Sequence, residues 1–132
     1  MNLASRLEAM CKQYGVAVLI SGSLHALVRH RFLARPIDRV VAVGKRRAVD
    51  IFELVCELDH ATPEDRRRCS DFEAVVEAYR ARDFARALEL AAAFAGAFPD
   101  DVATRKYAER CRCFMECPPS EDWDGTFVLT SK

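Results

Sequence analysis

At 132 residues, with 20 basic and 20 acidic side chains and a formal net charge of zero, the chain has no global field to draw in nucleic acid or an anionic membrane surface. A hydrophobic content of 51% with 30% charged residues excludes a disordered chain and leaves room for one ordinary domain or two small ones. No stretch approaches the roughly 18–20 apolar residues that cross a bilayer, and the first apolar run follows a charged helix rather than a signal-peptide start. The six cysteines are therefore expected as reduced thiols in a cytoplasmic protein.

Leu3, Leu7, Met10, Cys11 and Tyr14 recur at helical spacing, and Gly15 supplies a C-terminal stop. Asn2 and Arg6 stand four residues apart, hence on one face of that helix. Residues 16–21 form a continuous apolar run of strand length, predicted to be buried on both faces. Ser23 is predicted to cap a short helix over 24–30 whose apolar face is Leu24, Leu27 and Val28. Residues 32–43 read as a strand in which Pro36 demands an edge position or a bulge. Gly44-Lys45-Arg46-Arg47 is a turn, and 49–56 returns as the second strand of an antiparallel hairpin. The order of elements gives an α+β fold.

Composition shifts at Leu58, and the charged stretch 58–69 is predicted to be a linker. Ser70 and Asp71 are predicted to cap a helix running to about Arg82, with Phe72, Val75, Val76 and Tyr79 on one face. Asp83 precedes a second amphipathic helix carrying Phe84, Ala87, Leu88, Ala91, Phe94, Ala95 and Phe98. Pro99-Asp100-Asp101 ends it and caps a third, which holds Val102, Ala103, Tyr107, Cys111 and Phe114. Pro118-Pro119 closes the helical region 70–117, and in the tail 118–132 Trp123-Asp124-Gly125 turns into Phe127-Val128-Leu129. Cys111, Cys113 and Cys117 lie close together, but no histidine is near and Cys111 and Cys113 would point about 200° apart on a helix. No metal site is expected in this chain. Lys45-Arg46-Arg47 and Arg66-Arg67-Arg68 read as solvated charge, and His25 and His30 as helix-surface residues.

The run Asn2-Leu3-Ala4-Ser5-Arg6-Leu7-Glu8, then Gln13-Tyr14-Gly15, then an apolar strand ending in Ser21, resembles the last third of a class III adenylate/guanylate cyclase domain. Pro36-Ile37-Asp38-Arg39-Val40 and Val49-Asp50-Ile51-Phe52-Glu53-Leu54 are similar to that family's last two strands. The run from Tyr79 to Leu88, with Pro99 and Asp100 downstream, is similar to one tetratricopeptide repeat plus the first helix of a next, although Val75 occupies a small-residue position. The ending Trp123-Asp124-Gly125 resembles the tails of bacterial cyclases with such an extension.

The resemblance implies a C-terminal fragment of a ferredoxin-like cyclase domain over 1–57, followed by a tetratricopeptide-like hairpin. The family's reaction is attack of a ribose 3′-hydroxyl on the α-phosphate of a nucleoside triphosphate, ATP being favoured here. By resemblance Asn2 positions the ribose and Arg6 stabilises charge on the phosphoryl group. Val43 stands where the family has a phosphate-reaching lysine, which leaves Lys45, Arg46 or Arg47 to substitute, with Lys45 taken as the substrate-binding candidate. The Mg2+ or Mn2+ of the complete family domain is held by aspartates that would precede Met1, so this chain alone is expected to bind no cofactor and to be inactive. Met1 stands where the family commonly has valine, which suggests a start read inside a longer cyclase gene. The resemblance further implies a homodimer through the cyclase domain. The alternative is a non-catalytic interaction module whose helical tail takes a protein partner. Residues 1–57 alone are expected to be poorly soluble, because so short a fragment leaves a sheet edge and an apolar face uncovered.

Overall fold

The computed structural model describes residues 3–42 and 44–129. Helix α1 (Leu3–Tyr14) turns Met10 and Tyr14 into the core. Gly15 ends it with φ +66°, and a Cβ there would lie 2.7 Å from Cγ2 of Val102. Strand β1 (Leu19–Ser21) is shorter than the predicted 16–21. Among the described residues it pairs only with the third strand and so lies at a sheet edge, with Val18 44% exposed rather than buried. Helix α2 (Gly22–Val28) is capped by Ser21, not Ser23: Ser21 ends β1 with extended backbone, and its Oγ accepts the Leu24 amide at 3.3 Å. The predicted apolar face of α2 stays open, with Leu27 71% exposed, and contact with the sheet is made by His25 stacked on Phe52 at 3.9 Å.

Strands β2 (Phe32–Ala42) and β3 (Val49–Glu57) form the expected antiparallel hairpin. A last strand, β4 (Phe127–Leu129), pairs parallel with the end of β2 to give the order β1-β3-β2-β4. Pro36 takes the bulge rather than the edge, because β2 has neighbours on both sides: the register shifts between Pro36 and Asp38. A bulge resets the alternation of a strand. Consequently Ile37 and Asp38 are buried in succession on the one covered face, which strict alternation would not give.

After a 3-10 turn at Leu58–His60, helix α3 (Pro63–Arg80) begins inside the stretch expected as a linker. Thr62 and Asp65 form a reciprocal capping box, and Pro63 sits at the first helical position. Helices α4 (Phe84–Ala97) and α5 (Val102–Glu116) follow after short turns, capped by Asp83 and Asp101. Arg82 makes the first of these turns in the left-handed region, at φ +67°. The molecule is thus α+β, a four-stranded sheet with five α-helices among the described residues. One cluster of buried side chains runs through both parts: Met10, Tyr14, Leu19, Ile37, Val40 and Ile51 pack with Phe72, Val75, Tyr79, Phe94 and Tyr107. The helices after residue 58 therefore cover the inner face of the sheet. Among the described residues no helix is long and apolar enough to cross a membrane.

Two outcomes follow from this packing. Gly15→Ala should cost about 1–3 kcal/mol in a urea melt, from the left-handed backbone and the clash with Val102; an unchanged midpoint would show that α1 and α5 do not meet there. Residues 1–57 expressed alone should aggregate, since Ile37 and Ile51 lose their helical cover, whereas a sharp melt and monomeric elution would contradict the single core.

Candidate functional site

Arg6 lies half-buried on α1, one turn before the buried Met10. Lys45 is exposed in the turn after β2, its amide donating to the Ala42 carbonyl at 3.0 Å. No hydrogen bond or ion pair found among the described residues joins Arg6 to Lys45, or either of them to a carboxylate. Asn2 and Val43 lie outside the described residues.

The placement of α1 depends on one buried polar cluster. The Tyr14 hydroxyl donates to Oδ2 of Asp38, which also receives Nη2 of Arg110 on α5 at 2.8 Å. The other carboxylate oxygen accepts the Arg39 amide at 2.9 Å. Tyr107 donates to the carbonyl of Ile37 at 2.7 Å, and the Arg110 guanidinium lies 4.0 Å from the centre of the Phe127 ring. Burial, with the Asp38 carboxylate alongside, pushes the Tyr14 phenol well above its ordinary pKa, so it stays a donor throughout the physiological range.

A second cluster centres on Arg35, which is wholly buried. Its Nε donates to Glu53 on β3 at 2.5 Å and its Nη2 to Asp101 at 2.7 Å, while Cζ sits 4.4 Å from the centre of the Phe72 ring. Arg68 of α3 reaches the same Glu53 at 3.2 Å. Asp101 also caps α5, accepting the amide and hydroxyl of Thr104. Burial alone would raise the Asp101 carboxyl, but the Arg35 hydrogen bond and charge, with Thr104, hold it below the usual carboxylate range.

These carboxylates are committed to guanidinium groups, and among the described residues no three of His, Cys, Asp and Glu stand close enough to hold a metal ion. The donor set does not fit the divalent ions of a phosphoryl-transfer site. Cys69 and Cys111 are buried, which raises each thiol to about 11, whereas Cys113 and Cys117 are exposed. Sequence reasoning missed the roles of Arg35, Asp38 and Arg110, and it read Asp101 as a helix cap without its pairing to Arg35. The signal was present in β2, where Arg35 and Asp38 flank the Pro36-Ile37 bulge inside an apolar strand.

The chain is similar to adenylate cyclases. It is 44% identical over 54 residues to "Adenylate cyclase 1" of Rhizobium meliloti (strain 1021), covering 41% of this chain and 8% of that protein. It is 29% identical over 118 residues to "Adenylate cyclase, terminal-differentiation specific" of Dictyostelium discoideum, covering 83% of this chain and 5% of that protein. The chain thus spans less than a tenth of the length of these curated relatives. No family model and no solved structure matches it.

The depressed Asp101 carboxyl makes stability pH-dependent. Its contribution is complete above the unfolded pKa of about 3.9 and is lost as pH falls through the lower folded value. Asp101→Asn keeps a good cap but not the charge, so it should cost about 3–5 kcal/mol at pH 7 and flatten the acid limb of a stability–pH curve. An acid limb as steep as the wild type's would count against the pairing. In a timed maleimide reaction at pH 7, Cys113 and Cys117 should label first; early labelling of Cys111 would contradict its burial.

Proposed function

We propose that this chain is the C-terminal portion of a class III adenylate cyclase. The observation that carries the reading is the 44% identity to an adenylate cyclase, taken with an Arg6 that lies half-exposed on a helix anchored in the core. In this reading residues 1–57 are the last part of a ferredoxin-like cyclase domain, and 70–117 form a tetratricopeptide-like hairpin. The substrate is a nucleoside triphosphate, ATP in the first instance, and the product is the 3′,5′-cyclic nucleotide with release of pyrophosphate. The complete domain is a cytoplasmic homodimer.

The chain's own contribution is electrostatic. As the 3′-oxygen attacks, negative charge accumulates on the phosphoryl oxygens, and a fixed guanidinium aimed at them lowers the barrier. Arg6 supplies that donor, and Asn2 holds the ribose so that the 3′-oxygen faces the phosphorus. Lys45, a flexible ammonium on an exposed turn, contacts the triphosphate. In this reading the Mg2+ or Mn2+ that would neutralise the triphosphate is held by other parts of the complete domain, and the isolated chain is inactive.

A second reading is a non-catalytic interaction module. It is favoured by a shallow groove of about 540 Å³ between α4 and α5, floored by Ala91, Ala92, Ala95 and Ala108.

The test separates the two. Purified chain with manganese and ATP should make no cyclic AMP above the Arg6→Ala background. Replacing the matching segment of the Rhizobium meliloti enzyme with this chain should give activity, and Arg6→Ala in that chimera should lower kcat by about 10²–10³. A chimera that is active but indifferent to Arg6→Ala would overturn the catalytic reading.

A further inference from the structure

We propose that Arg110, on α5, is a positioning residue for the helix that carries Arg6, acting through Asp38 and Tyr14. The proposal rests on the reading of Arg6 as a catalytic group, and it assigns the helical tail a part in setting where that group points.

The polar grip on α1 described here lies at its C-terminal end. Tyr14 donates to Asp38, and Arg110 reaches both Asp38 at 2.8 Å and the Tyr14 oxygen at 3.5 Å. Lys106 lies 5.4 Å from the centre of the Tyr14 ring, and Gly15 packs flat against Val102. Three of these contacts come from α5, an element reached only after the β2–β3 hairpin has been made. Apolar packing adds to this polar clamp, with Met10 in the core and Leu7 and Cys11 against it, while Glu8 and Ala9 are exposed and Arg6 is half-exposed.

The distance from the polar clamp to Arg6 sets the sensitivity. Arg6 precedes Tyr14 by eight residues, about 12 Å along the axis at the α-helical rise. A tilt of about 10° at the clamp therefore moves Arg6 by about 2 Å, and a misplacement of about 1 Å costs on the order of 10²-fold in rate for a group that must meet a transition state. The carboxylate of Asp38 joins the two ends of the linkage, because it accepts from both Tyr14 and Arg110 on the same oxygen. Arg110 has no second carboxylate to fall back on among the described residues. Its Nη1 is buried without a hydrogen-bond partner, and its face is occupied by the Phe127 ring. Loss of the Asp38 contact thus leaves the clamp without a substitute.

Backbone hydrogen exchange on the full chain reads this directly, by comparing residues 3–14 with α3 and α4. Tyr14→Phe and Arg110→Gln should each raise exchange in α1 by about 10- to 100-fold, the effect of losing one hydrogen bond to a charged group. Exchange in α3 and α4 should stay within about twofold of the wild type, since a local opening of α1 leaves those helices packed. Arg110→Lys keeps the charge and should recover most of the α1 protection. Unchanged exchange in α1, equal acceleration in all three helices, or failure of lysine to rescue would overturn the proposal. Should Arg110→Gln fail to fold, Tyr14→Phe, which removes only a hydroxyl, gives the decision. The experiment uses no nucleotide, so its failure is distinct from a failure of the chimera to respond to Arg6→Ala.

Discussion

Removing a guanidinium from water costs several kcal/mol unless its donors find acceptors in good geometry. Arg35 meets that condition only where three separate elements come together: Glu53 from the neighbouring strand, Asp101 from the N-cap of α5, and the Phe72 face of α3. Nothing local to β2 could satisfy it. The sheet and the helical tail are therefore bound by an electrostatic requirement as well as by burial, and neither part has a complete core of its own.

The apolar packing obeys the same division. Phe72, Tyr79 and Phe84 of α3 and α4 meet Tyr107 and Phe114 of α5, and Phe94 meets Phe72, in a run of edge-on and tilted ring contacts. Such pairs add about 0.5–1.5 kcal/mol each beyond the area they bury. Trp123 closes the far end against Tyr79, Phe84 and Phe114. Arg82, whose left-handed backbone makes the α3–α4 turn, donates to the carbonyls of Pro119, Ser120 and Trp123. The tail loop is tied down by that one side chain, and Arg39 ties its other side by donating to the Asp124 carbonyl at 2.7 Å. Both anchors aim the chain so that β4 arrives beside β2.

Much of this was legible. The 3.6-residue spacing of Leu7, Met10 and Tyr14, the Pro36 bulge, the β2–β3 hairpin and the caps at Asp83 and Asp101 all follow from local rules, and the structure has them. The start of α3 was hidden by Arg66-Arg67-Arg68, a charge run that resembles a linker, although Thr62-Pro63-Glu64-Asp65 carries a capping signature that outweighs it. The edge position of β1 was not legible, because an apolar run carries no record of how many neighbours a strand has. Nor were the Asp38–Arg110 and Arg35–Asp101 pairs, separated by 72 and 66 residues, since spacing rules reach only a few turns along a chain. The resemblance to cyclases was visible in sequence and has its counterpart in the similarity to adenylate cyclases, while Asn2 lies outside the described residues.

The distance between Arg35 and Asp101 has a consequence for synthesis. A ribosome adding about 5–20 residues per second needs roughly 3–13 s to pass from one to the other. During that interval the nascent hairpin holds a guanidinium whose final neighbour has not been made, so β2 and β3 cannot settle into their finished arrangement. Emergence of the last helix and of the strand after it, rather than collapse of the first strands, then completes the fold, and a pause in translation before Asp101 would lengthen the exposure of an unfinished sheet to chaperones and proteases.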